Sequence, residues 1–437
     1  MVVGWCDATE ANVDTDAVIH SLRIEKPGAK PYLTLREWMD ESPPLREGIP
    51  PDRRAALLRA WATLWLNTQP AEGPWWIHPI ISPGEQYLRG IWIWDTAYHV
   101  LGLAYGGPKA RQLALWQIEV MLHGQHESGK LPREIWKDGP QYVGRHGIQS
   151  PGMMTMAANR LFEAAATEAE KRSVRDALAD FYPRFVRNHQ WYFAHTKTDR
   201  GLCVWSGLDA GWDTSPRWDS AYEALDLNCY LYLDRVELGR MAGILGRDEE
   251  ARRWAVQAEE LCDAIRNFHW NGTLGVYNDT RKDRGPSELI TPVIFWPMWV
   301  GVATAEQGRG AVKYLNDPKY LAAAWPLPSV ALSDPRFNPK DYWRGPTWIN
   351  LNWTAIRGLQ RCGLKKEAAD LREKTLELVR RTPVFYEYYD PQTGKGLGSA
   401  NYGWTAALCV DLIISPNSAT TPTPANKQLP LPTQRAP

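Results

Sequence analysis

The segment Asp209–Asp219 contains three aspartates, two tryptophans and one arginine within eleven residues. No hydrophobic period runs through it, and Gly211 and Pro216 are turn formers, so the segment is predicted to be a loop. Ordering a loop with this composition is costly unless its carboxylates and rings act together. A carboxylate beside an aromatic platform is the arrangement that sugar chemistry needs, and the segment therefore indicates a carbohydrate site.

A second carboxylate lies in an aromatic setting near the end of the chain. Glu387 stands between Tyr386 and Tyr388, where a carboxylate without a partner would be costly. Cleavage of a glycosidic bond needs two carboxyl groups across the sugar: one protonates the leaving oxygen, and the other is a nucleophile or activates water. Asp213 and Glu387 are such a candidate pair, because desolvation among rings raises a carboxyl pKa into the range useful to a general acid.

The remaining candidates lie in unusual loops where helices are expected to begin or end. Tryptophan rings would stack on sugar faces, and polar groups would bind sugar hydroxyls. The candidate substrate-binding residues are Trp94, Asp95, Gln149, Gly211, Trp212, Trp343, Arg344, Trp348 and Trp404. Simpler roles stay open: Asp95 as a helix N-cap, Asp219 as a cap of the following helix, and Arg217 and Arg344 as ion-pair partners of the loop acids.

A helical framework must position these loops. From about Pro51 onward apolar residues recur at three- and four-residue spacing, and strand-like alternation is nearly absent. The predicted helices are Asp52–Thr68, Thr96–Tyr105, Ala110–His126, Gly152–Ala166, Ser173–His189, Ala221–Leu245, Asp248–Asn267, Pro292–Ala305, Ile349–Cys362, Lys365–Arg381 and Tyr402–Ile413. Paired as αα-hairpins, such helices predict six hairpins closed into a double-layered ring, with the long loops forming a pit at one end.

The same pattern suggests a domain organisation. Residues 1–50 are predicted to be an N-terminal extension packed on the main domain, and 51–414 to be a single all-α catalytic domain. Residues 415–437 form a Pro/Thr-rich tail that is predicted to be disordered. A two-domain helical arrangement remains the alternative.

Composition excludes several classes of function. The 437-residue chain has fifty basic and fifty acidic side chains, which argues against nucleic acid or an anionic membrane as the main partner. The N-terminus lacks a signal-peptide pattern and no apolar stretch approaches the roughly 20 residues of a membrane span, so a cytoplasmic location is predicted. The six cysteines form no CxxC pair and the nine histidines no HxxxH or HExxH motif; no metal or other cofactor is predicted, and the partner is a small carbohydrate.

Taken together, the loops resemble the glycoside hydrolase clan that contains the trehalases and family 63, over about Gln86 to Ile413. Trp94-Asp95 resembles the first motif of the clan, and Asp209–Arg217 is similar to the loop that holds the general acid. Tyr342–Trp348 and Tyr386–Asp390 resemble the next motif and the segment with the general base.

The resemblance implies an (α/α)6 toroid and an inverting mechanism. Asp213 would be the general acid and Glu387 the general base, with their carboxyls about 6.5–9.5 Å apart. The prediction is an exo-acting α-glycosidase for a small α-glucoside or α-mannoside, such as glucosylglycerate, mannosylglycerate or an α-linked disaccharide. Lys130, Arg133 and Arg145 are candidate partners of a glycerate carboxylate.

Other functions stay open. A trehalase is less favoured, because Gly394–Gly398 replaces the Gly-rich run of trehalases. A sugar epimerase of the same shape would work through histidines in the pit, whereas a non-catalytic sugar-binding protein would use only the aromatic rings. A phosphorylase would need an anion site beside the base.

Overall fold

The computed structural model describes residues 32–44, 49–142, 151–205, 207–283 and 285–415. The α-helices are α1 (Leu35–Asp40), α2 (Pro51–Leu66), α3 (Ile93–Leu103), α4 (Pro108–His123), α5 (Met153–Ala164), α6 (Glu168–His195), α7 (Gly207–Ala210), α8 (Leu225–Ile244), α9 (Asp248–His269), α10 (Trp296–Val300), α11 (Ala305–Leu315), α12 (Ile349–Arg361), α13 (Lys365–Arg380) and α14 (Gly403–Ile414). The strands are β1 (Thr68–Gln69), β2 (Ile80–Ile81), β3 (Gly90–Trp92), β4 (Glu134–Trp136), β5 (Gly139–Gln141), β6 (Trp270–Asn271), β7 (Val276–Tyr277), β8 (Tyr386–Tyr389) and β9 (Gly396–Ala400).

In the described part of the chain, six helices close an inner ring. Helix α3 packs against α5, α5 against α8, α8 against α10, α10 against α12, and α12 against α14, which returns to α3. Helices α2, α4, α6, α9, α11 and α13 lie outside this ring and pack on its members or on the turns between them. The predicted (α/α)6 toroid is confirmed.

Hydrophobic patterning explains why each helix takes its layer. Every residue of α3 and of α14 is buried, as expected of helices that are apolar all round and lie between other helices. In α9, by contrast, the buried residues form a single stripe on an otherwise charged helix. An amphipathic helix of this kind covers the inner ring on one side and faces solvent on the other.

The predicted helices are present, with differences that local chemistry explains. The segment predicted as Pro292–Ala305 is a 3₁₀ turn followed by α10, which ends at Gly301 because this residue adopts a left-handed φ of 91°. Helix α11 was not predicted, although Thr304 and Gln307 form a capping box at its start. The strands pair in antiparallel sheets of two or three strands, too short to show alternation in the sequence.

The first described helix lies on the ring. Helix α1 packs on α2, where Trp38 and Trp61 stack with 5.0 Å between ring centroids and each indole N–H donates to the backbone carbonyl of the other at 2.8 Å. The division into residues 1–50, 51–414 and 415–437 stays a prediction, and most of the first and last segments lies outside the described residues. No helix in the described ranges is long and apolar enough to cross a membrane.

The helix pair α5–α8 contains a buried acid away from the loop end. Glu237 is fully buried and accepts a 2.6 Å hydrogen bond from Nδ2 of Asn159, while its Oε1 has no partner among the described residues. The pKa of Glu237 is raised to about 7 from an ordinary 4.5, because the effects of burial and of the charge of Asp234 outweigh the Asn159 bond and the charge of Arg361, which lower it. The folded protein therefore binds this proton more tightly than the unfolded chain does.

We expect Glu237→Gln to stabilise the protein at neutral pH. Because the folded pKa is above the unfolded one, the stabilisation from protonated Glu237 is complete below about pH 4.5 and is lost as pH rises to about 7. The free energy of unfolding of the variant, relative to that of the wild type, should thus be higher at pH 8 than at pH 4.5 by up to about 3 kcal/mol. Denaturant unfolding across this range measures it, with Glu260→Gln on exposed α9 as control. A gain that does not change with pH would contradict the assignment.

Candidate active site

A pocket of about 440 Å³ lies at the end of the toroid where the inner helices begin. Its walls come from the predicted loops, which do gather at one end. The lining residues are Pro83, Tyr87, Arg89, Trp92, Trp94, Asp95, Arg133, Glu134, Trp136, Gln141, Gly211, Asp213, Tyr342, Glu387, Tyr402 and Trp404. A volume of this size is typical of small-molecule sites, which span roughly 300–1,000 Å³. The pocket contains both carboxyl groups that the sequence analysis paired.

The loop that carries Asp213 is anchored by a buried arginine. Arg217 makes paired hydrogen bonds of 2.7–2.9 Å to Asp226 at the start of α8 and to Asp279. Its guanidinium also lies 4.8 Å from the ring centroid of Trp212. Arg217 therefore pairs with acids outside the loop and ties the loop to the inner ring. Asp219 is exposed and pairs with Arg336, so it does not cap α8.

Asp213 faces the open pocket. Its side chain is exposed there, yet the surrounding pocket walls still desolvate the carboxyl. This desolvation raises the pKa of Asp213 above its ordinary value, nearby Arg133 lowers it, and Glu134 raises it. A carboxyl group with a raised pKa beside a pocket is what a proton donor needs.

Glu387 is buried on strand β8 and is held by hydrogen-bond donors. Its Oε2 accepts from the backbone N–H of Ser399 on β9 at 3.0 Å. The hydroxyl of Tyr342 donates to Oε1 at 3.3 Å, and that of Tyr87 lies 3.4 Å from both oxygens. The pKa of Glu387 is raised to about 7. Burial is the largest cause and the charge of Asp213 adds to it, while the three hydrogen-bond donors act in the opposite direction. The partner that the sequence analysis required for this carboxylate is thus present.

Asp95 is a buried acid at the base of the pocket. It lies in the first turn of α3, which begins at Ile93 and has Trp92 as its N-cap, so Asp95 is not the cap. The hydroxyl of Tyr402 donates to the carboxylate; burial is the largest effect and raises the pKa of Asp95 well above its ordinary range. Asp95 Oδ1 and the indole N–H of Trp404 have no partner within the described ranges, and both residues line the pocket. Asp95 therefore adds a polar group to the aromatic wall of the pocket.

The predicted tryptophans divide into two groups. Trp94 and Trp404 line the pocket and meet edge to face, with ring centroids 4.9 Å apart. Trp212, Trp343 and Trp348 are buried behind the wall, where Trp343 stacks on Trp348 at 3.8 Å and on Trp212 at 5.1 Å. The structure therefore brings the first group, but not this stack, to the pocket surface.

The other predicted residues are also distributed. Gly211 lines the pocket with a left-handed φ of 77°, which favours glycine. Arg344 is not among the lining residues; its side chain is 48% exposed and ion-paired to Asp341 at 3.6 Å. Lys130 lies over the ring of Trp191, apart from the pocket lining. Gln149 and Arg145 lie outside the described residues.

One pocket wall was only partly predicted. Arg133, a predicted partner of a glycerate carboxylate, lines this wall directly before strand β4 of the sheet β3–β4–β5 and is ion-paired at 3.0 Å with Glu134, which was not among the candidates. Arg89 lies against the ring of Trp136, 4.5 Å from its centroid. The sheet joins β3 to a segment some forty residues later, and no local pattern predicts that pairing.

No metal site is apparent in the described residues, where no group of three or more His, Cys, Asp or Glu side chains is arranged to hold an ion.

A helical (α/α)6 toroid with paired carboxyls in an aromatic-lined pocket defines the class of the six-hairpin glycoside hydrolases. The model of the mannosylglycerate hydrolase MGH1-like glycoside hydrolase domain matches residues 88–405, and the chain belongs to this family. The predicted glycoside hydrolase is confirmed.

Individual relatives agree. The chain is 27% identical to a mannosylglycerate hydrolase of Thermus thermophilus over 73% of this chain and 93% of that protein. It is 24% identical to a glucosylglycerate hydrolase of Mycolicibacterium hassiacum over 74% of this chain and 91% of that protein. The crystal structure of a family 63 mannosylglycerate hydrolase from Thermus thermophilus with Tris and D-glycerate has a similar fold, with a TM-score of 0.68, 22% identity, and 80% of this chain and 98% of that chain covered.

Proposed function

We propose that the chain is an inverting, exo-acting α-glycosidase of small α-mannosides or α-glucosides, with Asp213 as general acid and Glu387 as general base. The observation that carries the proposal is that these two carboxyls, one exposed and one buried, line the same pocket and interact electrostatically. Their environments differ, which is how a fold assigns acid and base roles to two carboxyl groups.

The reaction follows from this pair. Asp213 gives its proton to the glycosidic oxygen as the bond from that oxygen to the anomeric carbon breaks. A water molecule attacks the anomeric carbon from the opposite face, and Glu387 takes a proton from that water. The anomeric configuration inverts, so an α-linked substrate releases the β-sugar. Space for the water requires carboxyls about 6.5–9.5 Å apart.

The rest of the pocket supports a small polar substrate. The rings of Trp94 and Trp404 contribute an aromatic surface to the pocket, and Asp95 adds a polar group beside them. Arg89 and Arg133, which directly precede strands β3 and β4, place positive charge in the pocket lining. They are therefore better placed than Lys130 to bind a glycerate carboxylate. Mannosylglycerate and glucosylglycerate, the substrates named for the relatives, are therefore the proposed substrates. The predicted cytoplasmic location stays a prediction.

A substrate panel with anomer analysis tests the function. Purified protein is incubated with mannosylglycerate, glucosylglycerate, trehalose and other α-linked disaccharides, and early product is followed by proton NMR. We expect hydrolysis of a glycosylglycerate and first appearance of the β-anomer. First appearance of the α-anomer would overturn the inverting mechanism, and turnover only with phosphate would indicate a phosphorylase. Binding without turnover across the panel would favour a sugar-binding protein.

The pH dependence of kcat/KM should be bell-shaped. The competent enzyme has Asp213 protonated and Glu387 ionised, so the pair must hold one proton. Glu387 is the more buried of the two and has a pKa raised to about 7. We therefore expect activity to fall above about pH 7, as the pair loses its last proton, and to fall on the acid side as the pair takes up a second proton. Initial rates from pH 4 to 9 measure both limbs, and a rate still rising above pH 8 would contradict the assignment.

A further inference from the structure

The segment Tyr342-Trp343-Arg344, which we call the bracket, contacts both carboxyl-bearing segments. Tyr342 donates its hydroxyl to Glu387 Oε1 at 3.3 Å. Trp343 donates its backbone N–H to Thr214 Oγ1 at 3.1 Å, and Arg344 donates Nε–H to the Thr214 carbonyl at 3.0 Å. Thr214 directly follows Asp213. Three consecutive residues thus hold the acid loop on one side and the base on the other.

The bracket is itself held in an unusual conformation. Tyr342 has a positive φ of 29°, which is uncommon for a bulky residue and persists only when surrounding contacts impose it. Its carbonyl accepts from the indole N–H of Trp348 at 2.9 Å. Trp343 is fixed by stacking on Trp348, with ring planes only 2° apart. The buried tryptophan stack therefore has a mechanical role, because it makes the bracket rigid.

Resting on the proposed function, we propose that the bracket sets the distance and orientation between the general acid and the general base, and that Arg344 and Tyr342 are positioning residues. Arg344 acts on Asp213 through Thr214, and Tyr342 acts on Glu387 directly. Because Arg344 lies outside the pocket lining, its effect on turnover does not come from contact with substrate. In inverting catalysis the separation of the two carboxyls decides whether water fits between them, so a rigid spacer has direct consequences for rate.

Two substrates with different leaving groups separate the two arms of the bracket. A glycosyl fluoride loses fluoride without a proton from Asp213, but still needs Glu387 to take a proton from water. A glycosylglycerate needs both groups. Displacement of the acid alone should therefore slow the glycosylglycerate and spare the fluoride, whereas displacement of the base should slow both.

The experiment compares Arg344→Ala, Arg344→Lys and Tyr342→Phe on the glycosylglycerate and on the α-glycosyl fluoride of the same sugar. For Arg344→Ala we expect kcat to fall by about tenfold or more on the glycosylglycerate and by less than about twofold on the fluoride. Arg344→Lys should recover part of the loss, because its ammonium can still donate to the Thr214 carbonyl. Tyr342→Phe should slow both substrates and move the alkaline limb to higher pH, because a donor that lowers the pKa of Glu387 is removed.

Matched controls keep the test decisive. Asp341→Asn removes the ion-pair partner of Arg344 but keeps its bond to Thr214, and Tyr386→Phe alters a neighbour of Glu387 on the same strand; both should leave kcat and the pH limbs unchanged. Thermal unfolding identifies a variant that is merely unstable. In that case Thr214→Val tests the same contact from the acid loop, because it removes the Oγ1 that accepts from the Trp343 backbone N–H. Equal losses on both substrates for Arg344→Ala and Thr214→Val, or no loss, overturn the bracket. A wild type inactive on both substrates overturns the proposed function instead.

Discussion

Glu387→Gln is expected to lower kcat by about 10²–10⁴-fold on every substrate that the wild type hydrolyses. Glutamine has nearly the same shape and keeps acceptor capacity for Tyr87 and Tyr342, but it cannot take a proton from water. The loss should be as large for a glycosyl fluoride as for a glycosylglycerate, since water activation is common to both. KM should change little, because the substitution removes an interaction made mainly in the transition state.

The comparison variant is Glu134→Gln, which neutralises another buried glutamate of the same pocket. Its loss should be smaller than that of Glu387→Gln by about tenfold or more, because Glu134 acts through its ion pair with Arg133 and the charge it places near Asp213 and Asp95. Steady-state rates at the pH optimum of each enzyme measure the difference. If Glu134→Gln were the more damaging variant, the general base would have to be reassigned.

Asp213→Asn should give the complementary pattern, with a large loss confined to poor leaving groups. We expect kcat on a glycosylglycerate to fall by about 10²–10⁴-fold, and the loss on the fluoride of the same sugar to be much smaller. The bell-shaped pH profile should also become a single ionisation in which the rate rises with pH, because the remaining Glu387 must be ionised to act as the base.

Asp219→Asn is the control within the same loop. Asp219 is exposed and pairs with Arg336, and a surface pair of this kind contributes little to stability. Its kcat should match the wild type on both substrates. An Asp213→Asn enzyme equally slow on fluoride and glycosylglycerate would show that Asp213 is not the proton donor.

The framework was accessible from the sequence because helices follow short-range rules. The spacing of apolar residues predicted α12 at Ile349–Cys362, within one residue of the observed end at Arg361. The outer helices α2, α4, α9 and α13 were predicted to within about three residues at each end, whereas α6 was predicted too short and α11 was not predicted. Ring closure was predictable because helices joined by short connections pair in order. The 3₁₀ turn before α10 and the short strands were not, since their conformations depend on tertiary contacts.

The candidate site was only partly predictable, for a related reason. Aromatic loops around Asp213 and Glu387 indicated which acids lie together, because burying a carboxylate among rings requires a compensating role. The same loops could not indicate which tryptophan faces the pocket: Trp94 does and Trp343 does not, and this is decided by stacking across distant segments. Likewise, Arg344 looked like a sugar ligand, yet it contacts the backbone of Thr214.

The last described helix has a consequence for how the enzyme matures during synthesis. Helix α14 is buried along its whole length between α2, α3 and α12, and its first turn contributes Trp404 beside Trp94. While α14 is still inside the ribosome, the polypeptide lacks one of the six inner-ring helices and the part of the pocket lining that Trp404 contributes. Activity should therefore appear only after this helix emerges from the exit tunnel and inserts, and nascent intermediates should expose the apolar slot that it fills to chaperones.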